Sequence, residues 1–321
     1  MREHTWARAL VGCGLLVSAA AYAAEYPPVS VDVKATRVSE HVYYVQGNPG
    51  TATEFEGFIS NAAFVVTDAG VVVFDTLGSP SLAWELRQRI REVTDQPVVK
   101  VIVSHYHADH IYGLQVFKDE GAEVIAPAGA LAYLDAPNAA ERLEERRLSL
   151  QPWVNDDTRL VHPDVIVAKD RDLEVGGVSF HLSYLGAAHS DGDMSAYVEP
   201  DHVLLSGDII FEGRVPFVGD ADTKRWLAAL EAMQTDQLTA LIPGHGPAAR
   251  EPNAALAQTL SYLAYLREVM GQAVGEMQDF ASAYEQADWS RFEDLPAFEA
   301  ANRRNAYQVY LAMERESMAQ D

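Results

Sequence analysis

The apolar, β-branched run Val101-Ile102-Val103 empties through Ser104 into His105-Tyr106-His107-Ala108-Asp109-His110, so three imidazoles and a carboxylate crowd into one short stretch. Neutral imidazole nitrogens with a carboxylate oxygen are donors that suit Zn²⁺, and they also accommodate Fe or Mn. The run ahead of them reads as a buried strand. Donors clustered where such a strand ends would sit on a rigid edge facing a cleft, where an open metal site can meet a substrate.

The pattern recurs downstream. His189 stands in Gly186-Ala187-Ala188-His189-Ser190, Asp208 follows Val203-Leu204-Leu205-Ser206-Gly207, and His245 follows Ala240-Leu241-Ile242-Pro243-Gly244. Each candidate ligand comes just after an apolar strand-like run, the position where open α/β sheets carry their sites. Taken in order, His-x-His-x-Asp-His at 105–110, a lone His, a Ser-Gly-Asp and a Pro-Gly-His, the chain resembles the metallo-β-lactamase superfamily over residues 40–250. The resemblance implies one metal on His105, His107 and His189, a second on Asp109, His110 and His245, and Asp208 bridging the two. It also implies two Zn²⁺ per chain.

Two cations about 3.5–4 Å apart can share a water, lower its pKa and stabilise negative charge on the attacked group. A bridging carboxylate such as Asp208 would offset the repulsion between the cations. Asp109 would have a double role, as a ligand and as the catalytic group that orients the attacking oxygen. Histidine ligands need a partner on the other ring nitrogen, and Asp75 is a candidate that could equally just end the strand Val72-Val73-Phe74. His4, His41, His162, His181 and His202 fall outside the pattern and read as surface or packing residues. In the alternating stretch 178–182, His181 should face away from Val178, Phe180 and Leu182.

Arg2 and Arg8 precede a mostly apolar stretch at 9–21 and an Ala-rich site ending at Ala24, the layout of a secretory signal peptide over residues 1–24. A periplasmic or secreted protein is the expectation. No later stretch has about 20 uninterrupted apolar residues, so no membrane span is expected. Cys13, the single cysteine, lies in that leader behind too short an apolar run for a lipoprotein signal. The mature chain would then have neither disulfides nor a thiolate ligand. That separates it from the β-lactamase subgroup with a Cys on its second metal and makes it similar to the Asp-bridged glyoxalase II and lactonase branch.

With 47 Asp+Glu against 24 Lys+Arg the formal charge is −23. Such a chain repels nucleic acid phosphates and anionic headgroups, which argues against a nuclease, although it leaves room for a local positive cleft. Turn and periodicity signals give a hairpin over residues 64–74, a helix starting near Ser79-Pro80 with Leu82, Leu86, Ile90 and Val93 on one face, and a strand at 98–103. A short helix at 111–117, a strand at 123–126 and a helical insertion at 129–148 follow. The second half repeats the scheme, with strands near 165–168, 178–184, 203–205 and 239–242 and a helix at 223–233. Two batches of strands with helices between them leave a doubly wound sheet open. The resemblance implies instead two sheets packed face to face with helices outside, an αβ/βα sandwich spanning 25–252.

From residue 253 to 321 the pattern is helical only. Leu256, Leu260, Leu263, Met270, Val274 and Met277 define one apolar face, and Phe298, Ala301, Ala306, Val309 and Met313 another. This C-terminal extension reads first as a cap on the sandwich and second as a substrate lid or homodimer surface. Loops at 50–57, 136–157 and 211–219 should rim the cleft with Phe55, Trp153, Phe211 and Phe217, an apolar patch for an uncharged or amphipathic small molecule.

The expected activity is therefore an exported dinuclear zinc hydrolase that cleaves an ester, thioester, lactone or amide of a small molecule. β-Lactam hydrolysis is disfavoured because the zinc β-lactamases generally lack an aspartate corresponding to Asp208. An iron-dependent enzyme of the persulfide dioxygenase kind is the alternative from a different class, since that branch keeps the same ligands. The third reading, a metal-binding protein without catalysis, fits poorly with a complete set of seven ligands.

Overall fold

The computed structural model describes residues 26–319, so the expected leader and Cys13 lie outside the described residues. The chain begins with β1 (Ala35–Arg37), β2 (Val42–Val45) and the hairpin β3 (Ala62–Thr67) and β4 (Gly70–Phe74). Gly70 takes φ +134°, which a side chain would resist, and its carbonyl accepts from Thr67 Oγ1 at 2.7 Å to close the tight turn. α1 (Pro80–Val93) starts where Ser79 Oγ accepts from the Leu82 amide at 3.2 Å. Leu82, Leu86 and Ile90 are buried along one face, each worth about 1.5–3 kcal/mol of transfer free energy. Val93, expected on that face, is 37% exposed, because it is the final residue of the helix, where the chain turns away.

Next come β5 (Val98–Ile102), α2 (Ala108–Ile111), α3 (Leu114–Asp119), β6 (Glu123–Pro127), α4 (Gly129–Asp135), α5 (Pro137–Ser149) and β7 (Val165–Val167). Two stretches expected as single helices are thus broken. At Gly113 the backbone lies so close to the Thr76 carbonyl that a Cβ would sit 2.0 Å from its oxygen, which sets the joint between α2 and α3. At Ala136, ψ is 137° because the following Pro137 disfavours a helical residue before it.

The second half supplies β8 (Arg171–Val175), β9 (Val178–Gly186), β10 (Asp193–Val198), β11 (Val203–Phe211), α6 (Thr223–Ala232) and β12 (Ala240–His245). It ends in α7 (Pro252–Gly275), α8 (Phe280–Gln286) and α9 (Phe298–Met318). The sequence reading did not separate out β1, β2, β10 or α8. As expected, His181 on β9 lies on the opposite face from the buried Val178, Phe180 and Leu182.

The strands form two sheets, one ordered β1 through β7 and the other β12-β11-β10-β9-β8. Strand alternation explains how they stack. Val71 and Val73 of β4 pack with Leu82, Leu86 and Ile90, whereas Val72 and Phe74 pack with Phe180, Leu182 and Leu205 of the other sheet. Leu204 and Phe211 of β11 face Trp226, Tyr262 and Leu266 on the outer helices. The result is four layers, α/β/β/α, as expected of the αβ/βα sandwich.

The C-terminal helices pack on the outside of the second sheet, and of the apolar residues expected on one face of α7, Leu263 and Met270 are buried and Leu256 and Leu260 partly buried against it. Ala255, Thr259, Tyr262, Leu263, Leu266, Met270 and Ala273 are buried, while Met277 is 93% exposed and lies beyond the helix end at Gly275. The polar residues Thr259 and Tyr262 belong to this interface because each finds a partner inside it. Thr259 Oγ1 donates to Phe211 O, and Tyr262 Oη bonds Asn302 and Asn305 of α9. Among the described residues no helix is long and apolar enough to cross a membrane.

Candidate metal centre

All seven side chains singled out in the sequence meet at one end of the two sheets. The segment after β5 delivers His105 and His107, α2 delivers Asp109 and His110, the loop between β9 and β10 delivers His189, β11 delivers Asp208, and β12 ends on His245. His105 Nε2, His107 Nδ1 and His189 Nε2 form one group, in which His107 Nδ1 is 3.0 Å from each of the other two nitrogens. Ligands about 2.05 Å from a single tetrahedral ion lie about 3.3 Å apart, so this spacing fits a shared cation. Asp109, His110 and His245 form a second group, with His245 Nε2 3.3 Å from Asp109 Oδ2.

Asp208 stands between them. Its Oδ1 is 3.3 Å from His110 Nε2, and its Oδ2 is 3.3 Å from both His189 Nε2 and His245 Nε2. Yet His110 Nε2 and Asp208 Oδ1 are buried without a well-formed hydrogen bond. Buried polar atoms are normally satisfied, so their orphaned state fits ligation of a cation that would sit among them.

Electrostatics separates the two groups. Burial, reinforced by the neighbouring imidazoles, holds the His105 pKa well below its ordinary value, and burial pushes His107 and His189 down to about 4. These three are neutral bases with lone pairs free to ligate. Burial also opposes charging His110 and His245, but the carboxylates of Asp208 and Asp109 outweigh it and hold both imidazoles above the usual range. The same attraction to His245 and His110 keeps the Asp208 carboxyl far below the carboxylate range despite its burial.

Local backbone constraints aim these groups. Gly207 takes φ +55°, and a Cβ there would lie 2.5 Å from Ser104 Cβ, so this glycine lets the two sheets close around the site. Gly244 is tighter still: a Cβ would fall 1.8 Å from Asp208 Oδ1. Asn61 Nδ2 donates to the carbonyls of Pro243 and Gly246, both at 2.8 Å, and His245 Nδ1 donates to Ile59 O at 2.7 Å. Asn61 went unnoticed in the sequence, where an asparagine ahead of a strand carries no distinguishing signal. Asp75, which could have been a simple strand end, accepts from His110 Nδ1 at 2.9 Å and from the Ser104 amide at 2.7 Å.

The cleft above these groups has a volume of about 870 Å³. Its wall differs from the aromatic rim expected. Phe211 is fully buried and stacks flat on His245 with ring centroids 5.4 Å apart, and Trp153 is tied elsewhere, donating to Pro28 O. Of the four aromatics only Phe217 lines the cleft, joined by Arg142, Arg146 and Arg214 and, from the C-terminal extension, by residues 293–301 and Arg304. The extension is therefore a wall of the site as well as a cap. No sequence periodicity pointed to those arginines, because they come from three segments far apart in the chain.

The family model for the metallo-beta-lactamase superfamily matches residues 56–245, which include all seven residues. Over 194 residues the chain is 26% identical to the probable metallo-hydrolase YqgX of Bacillus subtilis, covering 59% of this chain and 85% of that one. In structure it is similar to a metallo-beta-lactamase from Pontibacter korlensis, with TM-score 0.56, 24% identity, and 73% of this chain and 99% of that one covered. It is also similar to the sec-alkylsulfatase Pisa1 of a Pseudomonas species, with TM-score 0.70 and 19% identity over 87% of this chain and 50% of that one. The latter coverage must extend past residue 252 into the helical part. A four-layer sandwich, a His/Asp cluster at one end of its sheets and a family match over more than half its length agree: the chain belongs to the metallo-beta-lactamase superfamily and is a metal-dependent hydrolase.

Proposed function

We propose that this protein is a dinuclear zinc hydrolase that cleaves an ester, thioester, lactone or amide bond of a small molecule. The observation that carries the reading is Asp208, whose two oxygens reach both ligand groups at 3.3 Å. When bound, a pair of divalent cations supplies Lewis acidity and an activated water. The protein's own part is positioning. His105, His107 and His189 would hold one ion, and Asp109, His110 and His245 the other. The Asp109 side chain remains 23% exposed to the cleft, so it can both ligate and accept a hydrogen bond that orients the attacking oxygen. Phe211 and Trp226, packed against His245 and His189, keep solvent from the far side of the ligands. Residues 1–24 would direct export to the periplasm or outside and then be removed.

Elemental analysis of the purified protein with a hydrolysis panel tests this. About two zinc ions per chain and turnover of at least one aryl ester, acyl lactone, thioester or nitrocefin support it. One iron per chain with oxygen consumption on a persulfide would replace it with oxygen chemistry.

A further inference from the structure

We propose that the substrate of this cleft carries an oxyanion, a carboxylate, sulfate or phosphate, and that Arg214 binds it. The inference deepens the hydrolase reading, on which it rests for the position of the bond cleaved.

Arg214 is only 8% exposed, yet its one hydrogen bond to a neighbouring group is a long contact from Nε to Val215 O at 3.5 Å. Among the described residues it has no ion-pair partner within 4.0 Å. The acidic groups whose charge reaches it are Asp208 and Asp109, both candidate metal ligands. Once they hold cations their charge is committed, and Arg214 is left as a buried guanidinium with no counter-ion in the protein. Buried charges of this kind are stable only when paired. The terminal nitrogens of Arg214 are not among the buried unpartnered atoms, so they open onto the cleft that Arg214 lines, where an anion can reach them.

The rest of the wall agrees. Arg146 is half-buried on the same cleft, Arg142 stands near its mouth, and Arg304 lies over the Phe217 ring at 5.4 Å. None of the three has an ion-pair partner among the described residues. The acidic residues of the wall outnumber the arginines, but none of them forms an ion pair with one. Glu54 is engaged by the amide and hydroxyl of Thr51 at 2.9 and 2.8 Å, and Glu145, Glu293, Asp294 and Glu299 are exposed at the rim. In a chain of formal charge −23 these four arginines are the cationic groups of the cleft, and Arg214 is the buried one beside the metal ligands. Guanidinium groups pair with planar or tetrahedral oxyanions through two parallel hydrogen bonds.

The test uses zinc-loaded full-length mature protein and uncleavable probes, so that binding is read without turnover. Hexanoate, hexyl sulfate, hexyl phosphate and neutral hexanol are titrated calorimetrically. At least one anion should bind about ten-fold or more tighter than hexanol, and the tightest names the substrate group. R214M should abolish that preference, whereas an anion held by zinc alone would be unaffected by the substitution. R146M and R304M, at solvent-accessible positions, should each weaken the anion several-fold and serve if R214M does not fold. In turnover, R214M should raise KM for a carboxylate-bearing aryl ester by a larger factor than for the matched neutral ester. Equal binding of anions and hexanol, or a preference indifferent to R214M or to both rim variants, overturns the proposal. Arginine-dependent anion binding without cleavage of any ester, thioester, lactone or amide would instead leave it standing and sink the hydrolase reading.

Discussion

Asp75 and His110, 35 positions apart, share a fully buried hydrogen bond of 2.9 Å from His110 Nδ1 to Asp75 Oδ2. The same carboxylate accepts from both the amide and the hydroxyl of Ser104, at 2.7 Å each. One side chain thus fixes the tautomer of His110 and anchors the start of the histidine segment. To do so Asp75 takes φ +61°, a left-handed conformation costly for a residue with a Cβ.

Asp75→Asn should therefore weaken metal binding selectively. The amide keeps the shape but cannot accept from Ser104 and His110 with both of its atoms. A loss of about 10–100-fold in affinity for one of two ions is expected. Competition with a chromophoric chelator measures it, and two unchanged affinities would show that Asp75 does nothing for the metal.

Removing metal should expose how much stability the centre supplies. Stripped of cations, His110 and His245 can retain protons while Asp208 and Asp109 lie close together, held only by those imidazoles. At free zinc about 1,000 times Kd, binding adds about 4 kcal/mol to the native state. Calorimetric melting with and without a chelator should show a clear drop in Tm, restored by zinc. An identical Tm in both conditions would mean that no cation is held.

His107→Ala and Asp208→Ala should each abolish turnover on any accepted substrate with the far-UV circular dichroism unchanged. Asp208→Ala should also lower the metal count, because it takes an oxygen from both groups. Gly244→Ala offers an independent approach to the same carboxylate. Its methyl cannot share space with Asp208 Oδ1, so displacement of that carboxylate should reduce zinc stoichiometry and kcat without touching a ligand. Full zinc content and full kcat in G244A would contradict the placement of Asp208.

Asn305 ties the C-terminal extension to the cleft wall. Its Oδ1 accepts from the Val218 amide at 2.9 Å, and its Nδ2 donates to Pro216 O at 2.6 Å and to Tyr262 Oη at 2.9 Å. Asn305→Ala leaves the Val218 amide and the Pro216 carbonyl unsatisfied, while Tyr262 Oη keeps Asn302, at about 1–3 kcal/mol for each lost partner. Urea unfolding should show a loss of about 2–6 kcal/mol for the two groups together, and kcat/KM should fall as the segment holding Arg214 and Phe217 loosens. Unaltered stability would show that the extension docks by apolar contact alone.

Much of the site is legible in the sequence. His105, His107, Asp109 and His110 announce themselves because metal chemistry demands particular donors, and a short local segment can present several of them at once. His189, Asp208 and His245 are recognisable because each follows an apolar run, and an apolar run predicts a strand whose end lies at the sheet edge. The layer order came from the family resemblance, since β4 is apolar throughout and buried on both faces, and only β9 shows by alternation which residues face inward.

What only the tertiary structure decided is whatever depends on neighbours from distant segments. Phe211 and Phe217 have the same side chain six positions apart, yet one stacks under His245 and the other faces the cleft, a difference set by which residues pack around them. Asp75 and Asn61 look ordinary in one dimension because their partners lie 35 and up to 185 positions away. The α7 face was legible only in part, because Thr259 and Tyr262 are polar in isolation and become interior only when Phe211 and Asn305 satisfy them. Donor chemistry is carried by the residue itself, but burial and charge pairing belong to pairs, and pairs separated along the chain are made only by folding.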